Sequence, residues 1–249
     1  AVYKRVSAPN MLIGPQNLAE NARIVRLRIA AAASAAGRSP ADVTLVAVTK
    51  GHGIETVQLA LSCGLDHIAE NYVQEALPKM AAIPRDRAVT WHFIGRLQAN
   101  KTRAVAERFA WVHSLDRVKI AERLSAQRPF HAPPLNVCLE VSLEQESGKG
   151  GIPVSELIEV ARAVAALPRV RMRGLMCIPP ARSDPRVQRQ RFARVRELLA
   201  ELRAAGIAAD TLSMGMSDDF ELAIAEGATH VRIGTALFGP RAAAANTAD

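Results

Sequence analysis

Val43-Thr44-Leu45-Val46-Ala47-Val48-Thr49-Lys50-Gly51-His52-Gly53 is the stretch that decides the architecture. Its first seven residues are apolar or β-branched with hardly a polar break, as in a strand covered on both faces. Strands of that kind form parallel sheets, which are either open and doubly wound or closed into a barrel. The residues that follow choose between the two. A doubly wound sheet usually carries a G-x-G-x-x-G fingerprint after its first strand, and Lys50-Gly51-His52-Gly53 lacks that spacing.

Outward from this stretch the strand-then-helix alternation repeats. Strands read at Val43–Thr49, Leu65–Ala69, Ala88–Ile94, Trp111–Ser114, Asn136–Ser142, Val170–Met176, Thr211–Met214 and His230–Ile233. Helical patterns lie between them, at Ile54–Cys63, Tyr72–Ala81, Leu97–Phe109, Arg117–Gln127, Pro153–Ala166, Pro185–Ala205 and Asp218–Glu226, and another, Gln16–Ala36, precedes the first strand. Gly64, Gly206 and Gly227 follow helical runs, where a C-terminal cap wants positive φ. The glycine-rich loop from Ser147 runs into Pro153, placed as if in a first helical turn. Eight such units in 249 residues match the size of a (β/α)₈ barrel. The expected fold is α/β: a single (β/α)₈ TIM-type barrel over about residues 40–241 with an extra N-terminal helix, one domain spanning 1–249. The alanine-rich tail 242–249 reads as frayed.

Composition narrows the function classes. Lys plus Arg is 32 against 24 Asp plus Glu, a net charge of +8, which admits anionic ligands from a phosphate ester to nucleic acid. The densest basic run, Arg182 to Arg203, carries Phe192, Val195, Leu198, Leu199 and Leu202 as a helical apolar stripe flanked by Arg189, Arg196 and Arg203. This is a solvated amphipathic helix without an aromatic platform, so nucleic acid is not the expected partner. No stretch is long enough to span a bilayer, and Ala-Val-Tyr-Lys-Arg at the start is not followed by a signal-peptide core. The three cysteines, Cys63, Cys138 and Cys177, are far apart without C-x-x-C spacing, which fits a reducing cytoplasm. His67, His92 and His113 lie near the second, third and fourth strands, but no H-x-H or H-E-x-x-H spacing accompanies them. They are expected to be packed or hydrogen-bonded rather than metal ligands.

In barrels of this class the chemistry sits where strands end. Lys50 ends the first strand, where partial desolvation would free its amine for attack on an aldehyde; a snorkelling lysine is the alternative. The seventh strand runs into Ser213-Met214-Gly215-Met216-Ser217 and the eighth into Arg232-Ile233-Gly234-Thr235, at the recurrent phosphate position of this architecture. Ser217 and Thr235 could instead merely cap the helices that follow. Arg232 stands in an otherwise apolar strand and needs a partner if it points inward. A lysine nucleophile, a phosphate cradle and an arginine between them describe a pyridoxal 5′-phosphate (PLP) site.

Six motifs carry a resemblance. Val46-Ala47-Val48-Thr49-Lys50, Glu70-Asn71-Tyr72-Val73-Gln74-Glu75, the run from His92 to Lys101, Arg173-Gly174-Leu175-Met176, Leu212 to Asp219, and Val231 to Gly239 resemble the pyridoxal phosphate homeostasis proteins in order and spacing. The resemblance implies a barrel related to the N-terminal domain of alanine racemases, with Lys50 as the Schiff-base lysine. It implies phosphate contacts from Ser213, Gly215, Ser217, Gly234 and Thr235, Arg232 near the pyridine nitrogen, and Asn71 near the cofactor. Two departures stand out. Ala69 replaces a family glycine, and Glu140 replaces the usual Asn ahead of a longer stretch, Leu143 to Gly150.

Two functions share this cofactor. Racemization needs a proton donor on each face of the substrate Cα. Lys50 serves one face; in alanine racemases the other is a tyrosine from a second domain, and this chain ends soon after its eighth strand. Its tyrosines are Tyr3 and Tyr72, and Tyr72 reads as a packing or pocket-wall residue. The expectation is a monomeric, cytoplasmic protein that carries or buffers PLP as a reversible Schiff base, without robust amino-acid turnover. Apo forms of PLP-dependent enzymes are its possible recipients, and a PLP-dependent racemase-like enzyme is the alternative.

Overall fold

The computed structural model describes residues 15–84, 86–144, 150–180 and 184–240. The expected frayed tail, Arg182 and part of the long loop after Glu140 lie outside the described residues. Eight parallel strands form the wall: β1 (Thr44–Val48), β2 (His67–Glu70), β3 (Thr90–Phe93), β4 (Trp111–Leu115), β5 (Leu135–Ser142), β6 (Val170–Met176), β7 (Thr211–Ser213) and β8 (His230–Ile233). Each pairs with the next, β8 pairs with β1, and the sheet closes on itself. The helices are α1 (Pro15–Ala35), α2 (Ile54–Ser62), α3 (Val73–Ala82), α4 (Thr102–Arg108), α5 (Val118–Gln127), α6 (Leu157–Ala165), α7 (Pro185–Ala204), α8 (Phe220–Ala225) and α9 (Thr235–Phe238). The barrel and the extra N-terminal helix are as expected.

Strand alternation sorts the two faces. Ala47, Ile68, Phe93, Val112, Val137, Leu139, Leu175, Leu212, Val231 and Ile233 belong to one continuous core with the helices' buried stripes. Among the described residues, the opposite face holds two small apolar groups, Val46, Val48, Ala69 and Ile94, and Trp111, Cys138 and Met176. Much of the remaining interior is polar, with His92, His113, His230, Ser213 and Arg232 all buried. That differs from the branched apolar filling usual in such barrels.

Several helices start later than the periodicity suggests. The segment before Thr102 is a 3₁₀ turn, Ala99–Lys101. Pro153 does not open α6; it ends a two-residue strand, Ile152–Pro153, beside β5, and Val154–Glu156 forms a 3₁₀ turn first. Gly64, Gly206 and Gly227 do adopt positive φ after their helices. Four arginines of α7 are tied to acids: Arg189 and Arg196 to Glu226, Arg191 to Glu144, and Arg194 to Glu197 and Glu201. Phe192, Val195, Leu198, Leu199 and Leu202 are buried beneath.

Helix α1 packs on α8 and α9. Asn21 donates to the Leu237 carbonyl at 2.8 Å, Arg28 to Glu221 at 2.6 Å and Arg38 to the Ile224 carbonyl at 2.9 Å. The extra helix therefore holds the two short helices that follow β7 and β8.

Candidate cofactor site at the barrel mouth

Lys50 is half-buried in the turn that leaves β1, next to fully buried Thr49. The backbone on either side of it is clamped. Lys79 Nζ, on α3, donates to the Thr49 carbonyl at 3.0 Å and to Glu70 Oε1 at 2.6 Å. Thr49 Oγ1 donates to the same Glu70 oxygen at 2.5 Å, and the Gly51 N–H donates to Glu75 Oε2 at 2.8 Å. Burial pushes the Glu70 carboxyl up, against the pull of Lys79 and of the Thr49 hydroxyl. Sequence reading missed this clamp. The available signal was Lys79 itself, which shares the buried face of α3 with Val73 and Ala76; a lysine inside an apolar stripe needs a buried acid. Lys79→Ala would strand the carboxylate and is expected to cost about 3–5 kcal/mol, read from the denaturant midpoint. Adding Glu70→Gln should restore part of the loss, because no buried charge then lacks a partner.

Two orphaned acceptors lie beside the clamp, Glu70 Oε2 and Asn71 Oδ1, both buried without a hydrogen-bond partner. Asn71 follows β2, and its carbonyl is pressed on Gly95 so closely that a Cβ there would lie 2.0 Å from the oxygen. Tyr72, the next residue, is 59 % exposed, so of the two readings, packing or pocket wall, it is not a packing residue.

In the loop that leaves β7, Gly215 has φ +94°, and a Cβ there would meet Ala223 Cβ at 2.7 Å and Phe220 Cα at 2.9 Å. Asp219 Oδ1 accepts from the Met216 N–H at 2.7 Å and so fixes the turn. Ser217 does not cap α8, as one reading allowed. Its Oγ accepts from the Ala236 N–H at 3.1 Å, in the first turn of α9. The loop after β7 is thereby fastened to Gly234-Thr235 after β8. Gly234 lies against the end of β1, its Cβ position 3.5 Å from the Val48 carbonyl oxygen. Gly215, Ser217, Gly234 and Thr235 thus come together on the Lys50 side of the mouth.

Arg232 points inward and finds the partners it needs. Its Nη1 donates to Ser213 Oγ at 2.6 Å and its Nη2 to the Cys177 carbonyl at 2.9 Å. Burial pulls the guanidinium down, and nearby Glu140 pulls it back up. Glu140, the departure after β5, is itself pushed up by burial, with Arg232 drawing it down. The Ser213 hydroxyl is occupied with Arg232 and with His113 Nδ1, 2.6 Å away. Its place is therefore beneath the guanidinium.

The histidines expected to be hydrogen-bonded are so. His67 Nδ1 lies 3.0 Å from His92 Nε2, and His92 Nδ1 lies 2.9 Å from His113 Nε2. Burial holds His92 and His113 well below the usual imidazole range and lowers His230 to about 4. Among the described residues no group of three or more His, Cys, Asp or Glu could hold a metal, and no helix is long and apolar enough to cross a membrane. The cysteines are unpaired, and burial pushes the Cys138 and Cys177 thiols up to about 12, which leaves them unreactive.

The mouth fits a phosphorylated ring with an aldehyde: a half-buried amine, a glycine-hydroxyl cradle with no room for a side chain at Gly215, an arginine donor and an orphaned amide at Asn71. Comparison with known proteins points the same way. Residues 15–242 match the family described as alanine racemase, N-terminal domain. The chain is 54% identical over 224 residues to the pyridoxal phosphate homeostasis protein of Pseudomonas aeruginosa, covering 90% of this chain and 96% of that one. It is 47% identical over 228 residues to the protein of the same name from Escherichia coli K12, covering 90% and 97%. The structure of PipY from Synechococcus elongatus PCC7942 with PLP bound superposes with a TM-score of 0.79 at 36% identity, over 89% of this chain and 100% of that one. The chain belongs to the pyridoxal phosphate homeostasis proteins, built on the alanine racemase N-terminal domain.

Proposed function

We propose that this chain binds PLP reversibly through Lys50 and serves as its carrier or buffer. When bound, that group supplies an aldehyde that condenses reversibly with an amine, a phosphate dianion, and a ring nitrogen that accepts a hydrogen bond. The observation that carries the reading is the convergence of Lys50, the Gly215–Ser217 and Gly234–Thr235 cradle and Arg232 on one mouth.

Each residue has a task in this reading. The clamp on Thr49 and Gly51 holds the backbone that presents the Lys50 amine. Ser217 and Thr235 offer hydroxyls, and Gly215 and Gly234 let the backbone close on the phosphate. Arg232 is donor-only, so it serves a ring nitrogen that stays unprotonated, a weaker electron sink. Ser213 acts through Arg232 by fixing its Nη1. Asn71 offers its amide to the ring's edge.

Turnover of an amino acid would need a second, positioned proton donor opposite Lys50. Tyr72 is 59 % exposed and lacks the packing that would hold a phenol in place. We therefore assign carriage, with PLP-dependent apoenzymes as recipients, to a monomer working in a reducing cytoplasm. Titration with PLP should saturate at about one equivalent per chain, with an absorption band that borohydride bleaches. Amino-acid racemization, decarboxylation and transamination should stay far below about 1 per second; turnover at that rate would make the protein an enzyme.

A further inference from the structure

The barrel interior holds a continuous hydrogen-bonded file that the PLP reading does not use. It starts at Arg232 under the mouth and passes through Ser213, His113 and His92 to half-buried His67, at the start of β2. His67 lines a cavity of about 330 Å³ on the opposite face of the barrel, with Arg26, Val43 and Asp66. Trp111 stacks on His92 at 5.7 Å.

One order pairs every hydrogen of the file, the serine's included. A guanidinium can only donate. With Nη1 donating to Ser213 Oγ, the serine hydrogen goes to His113 Nδ1. A neutral His113 then carries its hydrogen on Nε2 and donates to His92 Nδ1, and His92 donates through Nε2 to His67 Nδ1. The tautomers follow from the network. Burial keeps His92 and His113 neutral, as this ordering requires.

A proton on His67 is incompatible with that order. Imidazolium donates from both nitrogens, so His92 Nε2 must accept from His67. His92 then carries its hydrogen on Nδ1 and donates to His113 Nε2, and His113 donates through Nδ1 to Ser213. One proton has been taken from solvent, and His92 and His113 each still hold one. Ser213 now accepts from both Arg232 and His113, and its own hydrogen is released toward the mouth.

We propose that His67, His92 and His113 are positioning residues that link the protonation of His67 to the hydrogen-bonding state of Ser213 beneath Arg232, and so tune the grip on PLP. This deepens the reading above and rests on it for the ligand. The groups facing the file are few. His67 faces His92 and His230, with Asp66 beside it in the chain and Arg26 of α1 in the same cavity. His113 faces His92, His230 and Arg232. Asp66 favours the charged form of His67 and burial opposes it.

Two measurements test the relay. In ligand-free protein with ¹⁵N-labelled histidine, NMR should show His92 and His113 as Nε2–H tautomers near pH 8, and both should switch to Nδ1–H as acidification puts a proton on His67, which burial delays to below the ordinary imidazole range. Titration of His67 with His92 unchanged, or Nδ1–H at His113 from the outset, would overturn the proposal. Secondly, PLP affinity is compared between wild type and H67Q, whose amide oxygen still accepts from His92 but cannot be protonated. The ratio should rise in favour of wild type by about fivefold between about pH 8 and the acid side of the His67 titration seen by NMR, the low end of ordinary coupling between sites; a flat ratio would overturn it. If neither protein bound PLP, the carrier reading would fall, and the tautomers would still decide the relay.

Discussion

Replacing Lys50 with alanine should reduce covalent capture of PLP under borohydride from about one per chain to none, with the fold intact. The clamp around the first strand's end works through the Thr49 carbonyl and hydroxyl, the Gly51 N–H, Glu70, Glu75 and Lys79, none of which the substitution removes. Lys79 is the nearest rival amine along this clamp, but it lies 2.6 Å from the Glu70 carboxylate and is itself buried. An ammonium held by a carboxylate is a poor nucleophile. The phosphate cradle survives in the variant, so loose, non-covalent retention should persist. Intact-mass measurement of the reduced protein reads the outcome, and a full equivalent trapped on the variant would show that another lysine carries the cofactor.

Acid should unfold the protein steeply below neutrality. His92 and His113 are buried with their pKa values well below the usual range, and His230 is lowered to about 4. In the unfolded chain each titrates near about 6.5. The folded state therefore binds fewer protons, so the histidine contribution is whole above about pH 6.5 and is lost as pH falls toward the folded values. Linkage gives about 2 kcal/mol lost per histidine between about pH 7 and pH 5. Three of them approach the whole stability of an ordinary domain, about 5–15 kcal/mol. Glu70 and Glu140, pushed up by burial, act in the opposite sense and soften the fall. The comparison that isolates one histidine is His230→Gln, whose loss over the same interval should be smaller by about 2 kcal/mol. Denaturant midpoints across this range supply the reading; an unchanged midpoint in wild type would mean that water reaches the interior imidazoles.

The barrel was legible in the sequence because its outward positions are apolar, from Ala47 and Ile68 to Val231 and Ile233, and they meet equally apolar helix faces. The interior was not. Each histidine sits alone in its own strand, and only closure of the sheet brings His67, His92 and His113 into one file. Local pattern misplaced the beginnings of α4, α6 and α8 by about two to five residues, the ordinary error for helix ends, since turns such as Val154–Glu156 are helical in composition but not in hydrogen bonding. The mouth was readable from strand ends: Lys50, Gly215, Ser217, Arg232, Gly234 and Thr235 fall where barrel chemistry collects. Of the two readings of Ser217, the alternative had it cap the helix that follows; the partner it has, Ala236, is nineteen residues away along the chain. The clamp of Lys79 on Glu70 and Thr49 was missed although a lysine on the buried side of α3 signalled it; pattern alone does not name the acid it meets.

A crystal structure of the protein grown with PLP is the most direct measurement. Continuous density from Lys50 Nζ to the ring, with the phosphate against Ser217, Gly234 and Thr235 and the ring nitrogen facing Arg232, is the predicted result. Density joined to a different lysine, or a phosphate seated away from the loops that follow β7 and β8, would contradict it.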